Sequence, residues 1–474
     1  MFKTQFLNRR QFLVSGAAFA ASMQTGAAGT AAPAAPPITL RAAAGQAALR
    51  PAPFGMTPVW QYNGSVPGAE IRVRQGERLR IEAQNQLPAD TTIHWHGIRT
   101  PNAMDGVAGL TQAPIKSEDK FLYEFDALDA GTFWYHPHHN SAEQVARGLY
   151  GPLIVEEHDP IRVDREVTWM LDDWRLTEDG AIAGGFGAMH DAAHGGRMGN
   201  TVTINGRMAQ QFAVKPAERI RLRLINAANA RIFGLDFGAL SPVVIALDGQ
   251  PVTPHTPDSG VVVIGPAMRV DLVLDMTGPA GAVMPVTDVF YNRMEYKLVD
   301  LVHDATPLRN TVPDWSMELA PNPLSEPDLA KATRHEVIFN GGMMGQGMMG
   351  GGMMSMMNQM RQGNMWFING VAAKGPVKEP FLTLAQGTSH ILSMENRTDW
   401  PHPIHFHGHS FRVIARNGQA TRYQEWQDTV MMAPDEKVDI AFVADNPGDW
   451  MFHCHILEHQ AAGMMGVIRV APQA

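Results

Sequence analysis

Asn63-Gly64, then Gly76-Glu77-Arg78-Leu79-Arg80-Ile81, then Asn85 is the stretch that decides the fold, because the chain uses the same pattern twice more. Asn205-Gly206 leads through Ala217-Glu218-Arg219-Ile220-Arg221-Leu222 to Asn226. Asn369-Gly370 leads, more loosely, through Gln386-Gly387-Thr388 and Ile391-Leu392 to Asn396. A turn followed by an alternating strand, recurring at domain-sized intervals, is too widely spaced for a solenoid and suits three copies of one β domain. Between these marks lie short runs rich in Val, Ile, Leu and Phe, such as Gly151 to Glu156, Val261 to Ile264 and Val438 to Val443. They alternate with Pro, Gly, Asp and Asn turns, which argues for all-β Greek-key sandwiches over an α/β sheet. Linkers fall near Glu157 to Arg162 and Thr306 to Leu329. At 474 residues and 45% hydrophobic, the chain has the length for roughly three domains.

The formal net charge is −9, from 47 acidic and 38 basic residues. With no basic run outside the extreme N-terminus, nucleic acid is excluded as an expected partner. Asn8-Arg9-Arg10-Gln11-Phe12-Leu13, an apolar stretch from Val14 to Ala21, and Ala, Gly, Thr and Pro up to Pro37 mark an export signal, placed over residues 1–34. The adjacent arginines resemble the twin-arginine signal, which carries folded proteins and suits a cofactor loaded before export. The apolar run is shorter than the ~20 residues of a spanning helix. A periplasmic protein without a membrane span in its mature form, and a monomer, is the expectation. Cys454 is the only cysteine, so no intramolecular disulfide is possible and the thiol is free for metal.

That cysteine lies in His453-Cys454-His455, with His459 and Met464 downstream. A strand sends alternate side chains to opposite faces, so His453 and His455 point one way and Cys454 the other, and one tripeptide can serve two metal sites. Thiolate, imidazole and a weak thioether describe a mononuclear blue-copper centre, for which Cys454, His459 and Met464 supply three groups and a second histidine must come from elsewhere. Of 19 histidines, ten fall in four groups: His94 and His96; His136 and His138; His402, His405 and His407; His453, His455 and His459. Each contains a His-X-His pair, whose imidazoles leave one face of a strand together.

In His94-Trp95-His96-Gly97, Trp134-Tyr135-His136-Pro137-His138, His402-Pro403-Ile404-His405-Phe406-His407-Gly408 and His453-Cys454-His455 through Met464, the chain resembles the multicopper oxidases. Within them it looks most like the bacterial three-domain cuprous oxidases of copper tolerance, which also carry methionine-rich inserts. The resemblance implies three tandem cupredoxin-like domains, at residues 38–157, 162–305 and 330–474, the last with a methionine-rich insert over 341–365. It implies four copper ions, with a type 1 copper held by His402, Cys454, His459 and axial Met464, and a type 2 copper held by His94 and His405. The type 3 pair would use His96, His136 and His455 on one ion, and His138, His407 and His453 on the other. The three-copper cluster would then sit between the first and third domains, with the middle domain structural. The chemistry implied is one-electron oxidation of Cu(I) or of small phenols, coupled to reduction of O2 to water.

Asp105, eleven residues after His94, matches the family's carboxylate near the type 2 copper and is the expected proton-managing catalytic residue, though Met104-Asp105-Gly106 also has the composition of a turn. Two positions depart from the family pattern. Gln460 stands where many bacterial relatives have glutamate, and glutamine cannot relay a proton by ionising. In Thr398-Asp399-Trp400-Pro401, Asp399 is displaced by one position and Trp400 takes the place of a methionine. The Cu(I) site is therefore expected to be assembled differently, with Asp399, Met353, Met354, Met356 and Met357 as candidates and labile Cu(I) as an additional ligand. Gly341 to Met365 holds ten methionines, a low-complexity loop whose thioethers are soft donors that favour Cu(I).

Other patterns carry less. Gly345-Gln346-Gly347-Met348-Met349-Gly350 matches a dinucleotide fingerprint but lacks βαβ context. His455-Ile456-Leu457-Glu458-His459 matches an inverted zinc-protease pattern, which requires both histidines on one metal. His190 and His194 have helical spacing for a surface metal, with solvent-facing side chains as the simpler expectation. The rival readings of function are a laccase acting on phenols and a copper-buffering protein without turnover.

Overall fold

Each of the three Asn-Gly pairs closes a two-residue turn. Asn63 and Gly64 have φ of 50° and 87°, Asn205 and Gly206 50° and 73°, Asn369 and Gly370 50° and 79°. Positive φ at both central residues is what a type I′ hairpin turn demands, and Asn-Gly tolerates it at least cost. The flanking residues bridge directly, Tyr62 to Ser65, Ile204 to Arg207 and Ile368 to Val371. Each asparagine also ties the turn to the first strand of its repeat: Asn63 accepts from Arg41 N–H at 2.8 Å, Asn205 from Met170 N–H at 2.8 Å, and Asn369 from Ile338 N–H at 2.8 Å.

The computed structural model describes residues 36–342, 363–373, 375 and 377–472. The expected export signal and most of the methionine-rich insert, including Met353, Met354, Met356 and Met357, lie outside the described residues. The strands form three pairs of sheets with one shared wiring. In each pair the opening strand runs parallel to the strand that carries the second repeated asparagine at or next to its last residue: Ile38–Ala47 beside Arg78–Gln86, Arg165–Trp174 beside Arg219–Asn226, Thr333–Gly341 beside Ser389–Asn396. The opposing sheet repeats a second parallel pair, of Ile71–Arg74 with Gly151–Glu156, Gln211–Val214 with Tyr296–His303, and Leu382–Ala385 with Met465–Ala471. Asn85, Asn226 and Asn396 are buried and each donates twice to loop carbonyls: to Ala89 and Ile115, to Arg231 and Ile264, and to Trp400 and Ala433. Losing such a buried donor leaves carbonyls unpaired at a cost of about 1–3 kcal/mol.

Each sandwich has its own apolar core. A further cluster joins Val59, Trp134 and Tyr150 of the first sandwich to Met170, Trp174 and Ile225 of the second and to Leu457 of the third. That packing holds the first and third sandwiches against one another where the histidine-bearing strands end. Among the described residues no helix is long and apolar enough to cross a membrane.

Candidate metal centre

Two antiparallel strand pairs, one from each end of the chain, carry the histidines. His94–His96 pairs with Gly131–His136, setting His94 opposite His136. His402–Phe406 pairs with Gly448–Cys454, setting His405 opposite His453 and Ile404 opposite Cys454. The pleat does what the alternation requires: Cys454 turns into the third core beside Ile404, while His453 and His455 face the first sandwich. There the imidazoles interleave, His94 stacked on His407 at 4.0 Å between ring centroids and His96 on His405 at 3.8 Å.

The donor atoms converge within 4.8 Å of one another in several sets: His96, His136 and His455; His138, His407 and His453; His94, His96 and His405; His94, Asp105 and His407; and His402, Cys454 and His459. The hydrogen bonds aim them. The Nδ1–H of His94 donates to the Asp105 carbonyl at 2.8 Å, that of His136 to the Pro137 carbonyl at 3.0 Å, and that of His405 to the Asp428 carbonyl at 2.8 Å. The Nε2 atoms of all three rings are buried without a protein partner, as are Nδ1 of His96 and both nitrogens of His455. Buried polar atoms are nearly always satisfied, and inward-facing orphaned lone pairs are what a bound cation would satisfy. The Nε2 atoms of His407 and His453 lie 3.0 Å apart, a distance two neutral acceptors tolerate only across a shared proton or ion. Burial, followed by the neighbouring imidazoles, holds His96, His138, His407 and His455 well below the usual histidine range. The rings stay neutral and keep their lone pairs for metal. Imidazole sets of this kind, beside a thiolate set, suit copper.

The thiol set is tighter. Cys454 Sγ lies 3.5 Å from His402 Nδ1 and 3.8 Å from His459 Nδ1, and those two nitrogens are 3.2 Å apart. His402 is fixed from behind by the Thr398 hydroxyl at 2.8 Å, and His459 by the backbone carbonyl of His194 at 2.5 Å. Burial pushes the Cys454 thiol up, so a positive ion is needed to make it a thiolate. Met464 is fully buried in the same core, and its carbonyl accepts from Cys454 N–H at 3.0 Å.

Asp105 is both turn residue and site residue. It caps a short 3-10 turn over Asn102–Met104, and its carboxylate, 1% exposed, reaches His407 Nδ1 at 2.9 Å and His94 Nδ1 at 3.2 Å. Gly106, at φ 83°, is required there: a Cβ would stand 1.8 Å from the Ile93 carbonyl oxygen. Gln460 Nε2 lies 3.4 Å from His138 Nε2 and lines a cavity of about 270 Å³ that reaches His138. Asp399 is exposed, whereas Trp400 packs against the third core. His455 and His459 fall into different donor sets, so the inverted protease pattern does not form.

Sequence reasoning missed the groups that support the site from other domains. Asp428 lies 3.3 Å from His96 Nε2 and is gripped by both terminal nitrogens of Arg269, a middle-domain residue, at 2.8 and 2.5 Å. Asp248 accepts from the Asp428 and Thr429 N–H groups at 3.2 and 3.0 Å. The middle domain thus contributes no imidazole to these sets but orients members of three of them, through Arg269 by way of Asp428 and through the His194 carbonyl. His194 is half-buried, its ring meeting Trp400 edge-on at 5.8 Å, so the pair His190 and His194 is not uniformly solvent-facing.

Three multicopper oxidase family models match the chain, over residues 46–160, 165–293 and 352–474. The multicopper oxidase MmcO of Mycobacterium tuberculosis is 30% identical over 448 residues, covering 85% of this chain and 81% of that one. The crystal structure of a multi-copper oxidase from Pseudomonas thermotolerans is 33% identical with a TM-score of 0.81, covering 92% of this chain and 100% of that one. A multicopper oxidase from Campylobacter jejuni described as a metallo-oxidase is 27% identical with a TM-score of 0.76, covering 92% and 91%.

Proposed function

Because the chain belongs to the multicopper oxidase family, oxidoreductases that use copper and O2, we propose that it oxidises Cu(I) and reduces O2 to water, in copper detoxification in the periplasm. When bound, copper supplies one-electron acceptance at the thiolate site and four-electron reduction of O2 at a three-ion site. His402, Cys454, His459 and Met464 would hold the type 1 ion, and His94 with His405 the type 2 ion. His96, His136 and His455 would hold one type 3 ion, and His138, His407 and His453 the other. The observation that carries this reading is the set of buried, outward-anchored imidazoles whose remaining nitrogens converge.

The chain's own residues perform the remaining tasks. Cys454 is covalently flanked by His453 and His455, so its backbone provides the electron path between the two sites. Asp105, in contact with His94 and His407, manages protons of bound water. Burial keeps the imidazoles and the Cys454 thiol largely out of bulk water, which strengthens the electrostatic contacts they make. Arg9-Arg10 in the leader supports export by the twin-arginine route.

Cu(I) is favoured over phenols by the methionine-rich segment and by the edge of His459, which the His194 carbonyl occupies. O2 uptake by the copper-loaded protein, with Cu(I) and a phenol compared, in the full chain and in a variant lacking residues 343–360, tests the reading. Selective loss of Cu(I) turnover is expected. Equal loss of both activities would favour a structural segment, and no uptake with either reductant would leave copper buffering.

A further inference from the structure

The middle-domain helix Met189–Ala193 and the turn after it carry two imidazoles that belong to none of the donor sets above. His190 is 83% exposed at its side chain. Its ring lies alongside that of His194, with 4.5 Å between centroids and 22° between planes. The Nδ1–H of His194 donates to the His190 carbonyl at 2.9 Å. That bond fixes the tautomer, leaving the His194 Nε2 lone pair as a donor to metal. Four-residue spacing places both rings on one side of the turn, and imidazole is a good copper ligand.

What sets this pair apart is its connection. The backbone carbonyl of His194 accepts the Nε2–H of His459, whose other nitrogen faces Cys454. From the His194 ring to the His459 ring the path is one residue's own covalent bonds and one hydrogen bond. The loop presses so closely that ring-sized molecules are kept from that edge. A Cβ at Gly195 would lie 3.1 Å from the Trp400 ring, and one at Gly196, where φ is 83°, would lie 2.5 Å from Ala230 Cβ and 2.6 Å from Ile456 Cγ2. The nearby guanidiniums do not oppose a cation freely. Arg175 forms a two-point pair with Asp191 at 2.7 and 3.0 Å, and Arg197 donates to the Ala183 and Gly184 carbonyls. The Asp191 carboxylate itself stands 3.8 Å from His190 Nδ1.

We infer that His190 and His194 form a docking site for one Cu(I) ion, whose electron leaves through the His194 backbone carbonyl to His459. The electron route rests on the cuprous-oxidase reading above. In the step Cu(I) loses one electron and departs as Cu(II), the electron is accepted at the His402, Cys454 and His459 site, and O2 is the final oxidant. No proton moves at the docking site.

Ag(I), equally soft and inert to oxidation here, reports on binding without turnover. The copper-loaded full chain should bind one more equivalent of Ag(I) by equilibrium dialysis than His190→Ala/His194→Ala does. Crystals soaked in Ag(I) should show an anomalous peak bonded to both imidazoles. His194→Ala keeps the backbone carbonyl, so the blue absorption should be unchanged while KM for Cu(I) rises roughly tenfold. Equal Ag(I) stoichiometry in the two proteins, or no peak at the pair, would overturn the site. Absence of Cu(I)-driven O2 uptake in the wild type would overturn the electron route together with the cuprous-oxidase reading, and the Ag(I) measurements would then decide the binding site alone.

Discussion

Asp105 and His407 stand 302 positions apart in sequence and 2.9 Å apart in space, carboxylate Oδ2 against imidazole Nδ1. The contact crosses from the first sandwich to the third and leaves the other ring nitrogen of His407 facing His453. Asp105→Asn keeps the shape and removes the proton-accepting charge. We expect kcat for O2 reduction to fall about 10²–10⁴-fold, with the blue absorption of the Cys454 site retained. Loss of the blue band as well would show a general collapse of the site.

Gln460 occupies the wall of the cavity that reaches His138, where an ionisable group would stand between solvent and the cluster. Gln460→Glu is expected to raise turnover or extend its pH range. A pH–rate profile superimposable on that of the wild type would remove this position from proton supply.

Arg269 is fully buried and donates to Asp428 and to the Thr132 and Asp248 carbonyls. Burial alone would raise the Asp428 carboxyl, but the Arg269 charge and hydrogen bonds hold it well below the usual range. Arg269→Met leaves that carboxylate unpaired, which costs about 3–5 kcal/mol. Denaturant unfolding of the copper-free protein measures the loss, and copper analysis should show weakened retention at the His94 and His405 site.

His390 belongs to none of the donor sets and lies 3.1 Å from His335. Burial, then His335, pushes it down to about 4 from the ordinary 6.5. Between those values the unfolded chain takes up a proton that the folded chain refuses, so stability present above the unfolded pKa is lost as pH falls toward the folded one. His390→Gln should flatten the dependence of Tm on pH across that window and leave Tm near neutrality little changed.

The parts of this molecule legible in its sequence are those fixed by local chemistry. Asn63, Asn205 and Asn369 marked the repeats because only a few residues accept their backbone angle, and the His-X-His pairs showed because strand alternation forces both rings to one side. Asp428, Arg269 and the His194 carbonyl were not legible. Asp428 and Arg269 are ordinary charged residues whose role comes from a contact 159 positions away, and a backbone carbonyl leaves no trace in residue identity. The repeated Asn85, Asn226 and Asn396 stood out as marks, but their double donation to loop carbonyls emerged only with the folded loops.

The first half of the large histidine cluster is complete by His138 and the second begins only at His402, with a whole sandwich between them. Cys454, His402 and His459 all belong to the third sandwich, which can assemble its thiol site once it has folded. The chain emerging from the ribosome therefore cannot close the larger site until His453 and His455 have been made. A chain ending before His453 would bring His405 and His407 to the imidazoles of the first sandwich but would lack the His455 ring that completes the set of His96 and His136 and the His453 ring that completes the set of His138 and His407.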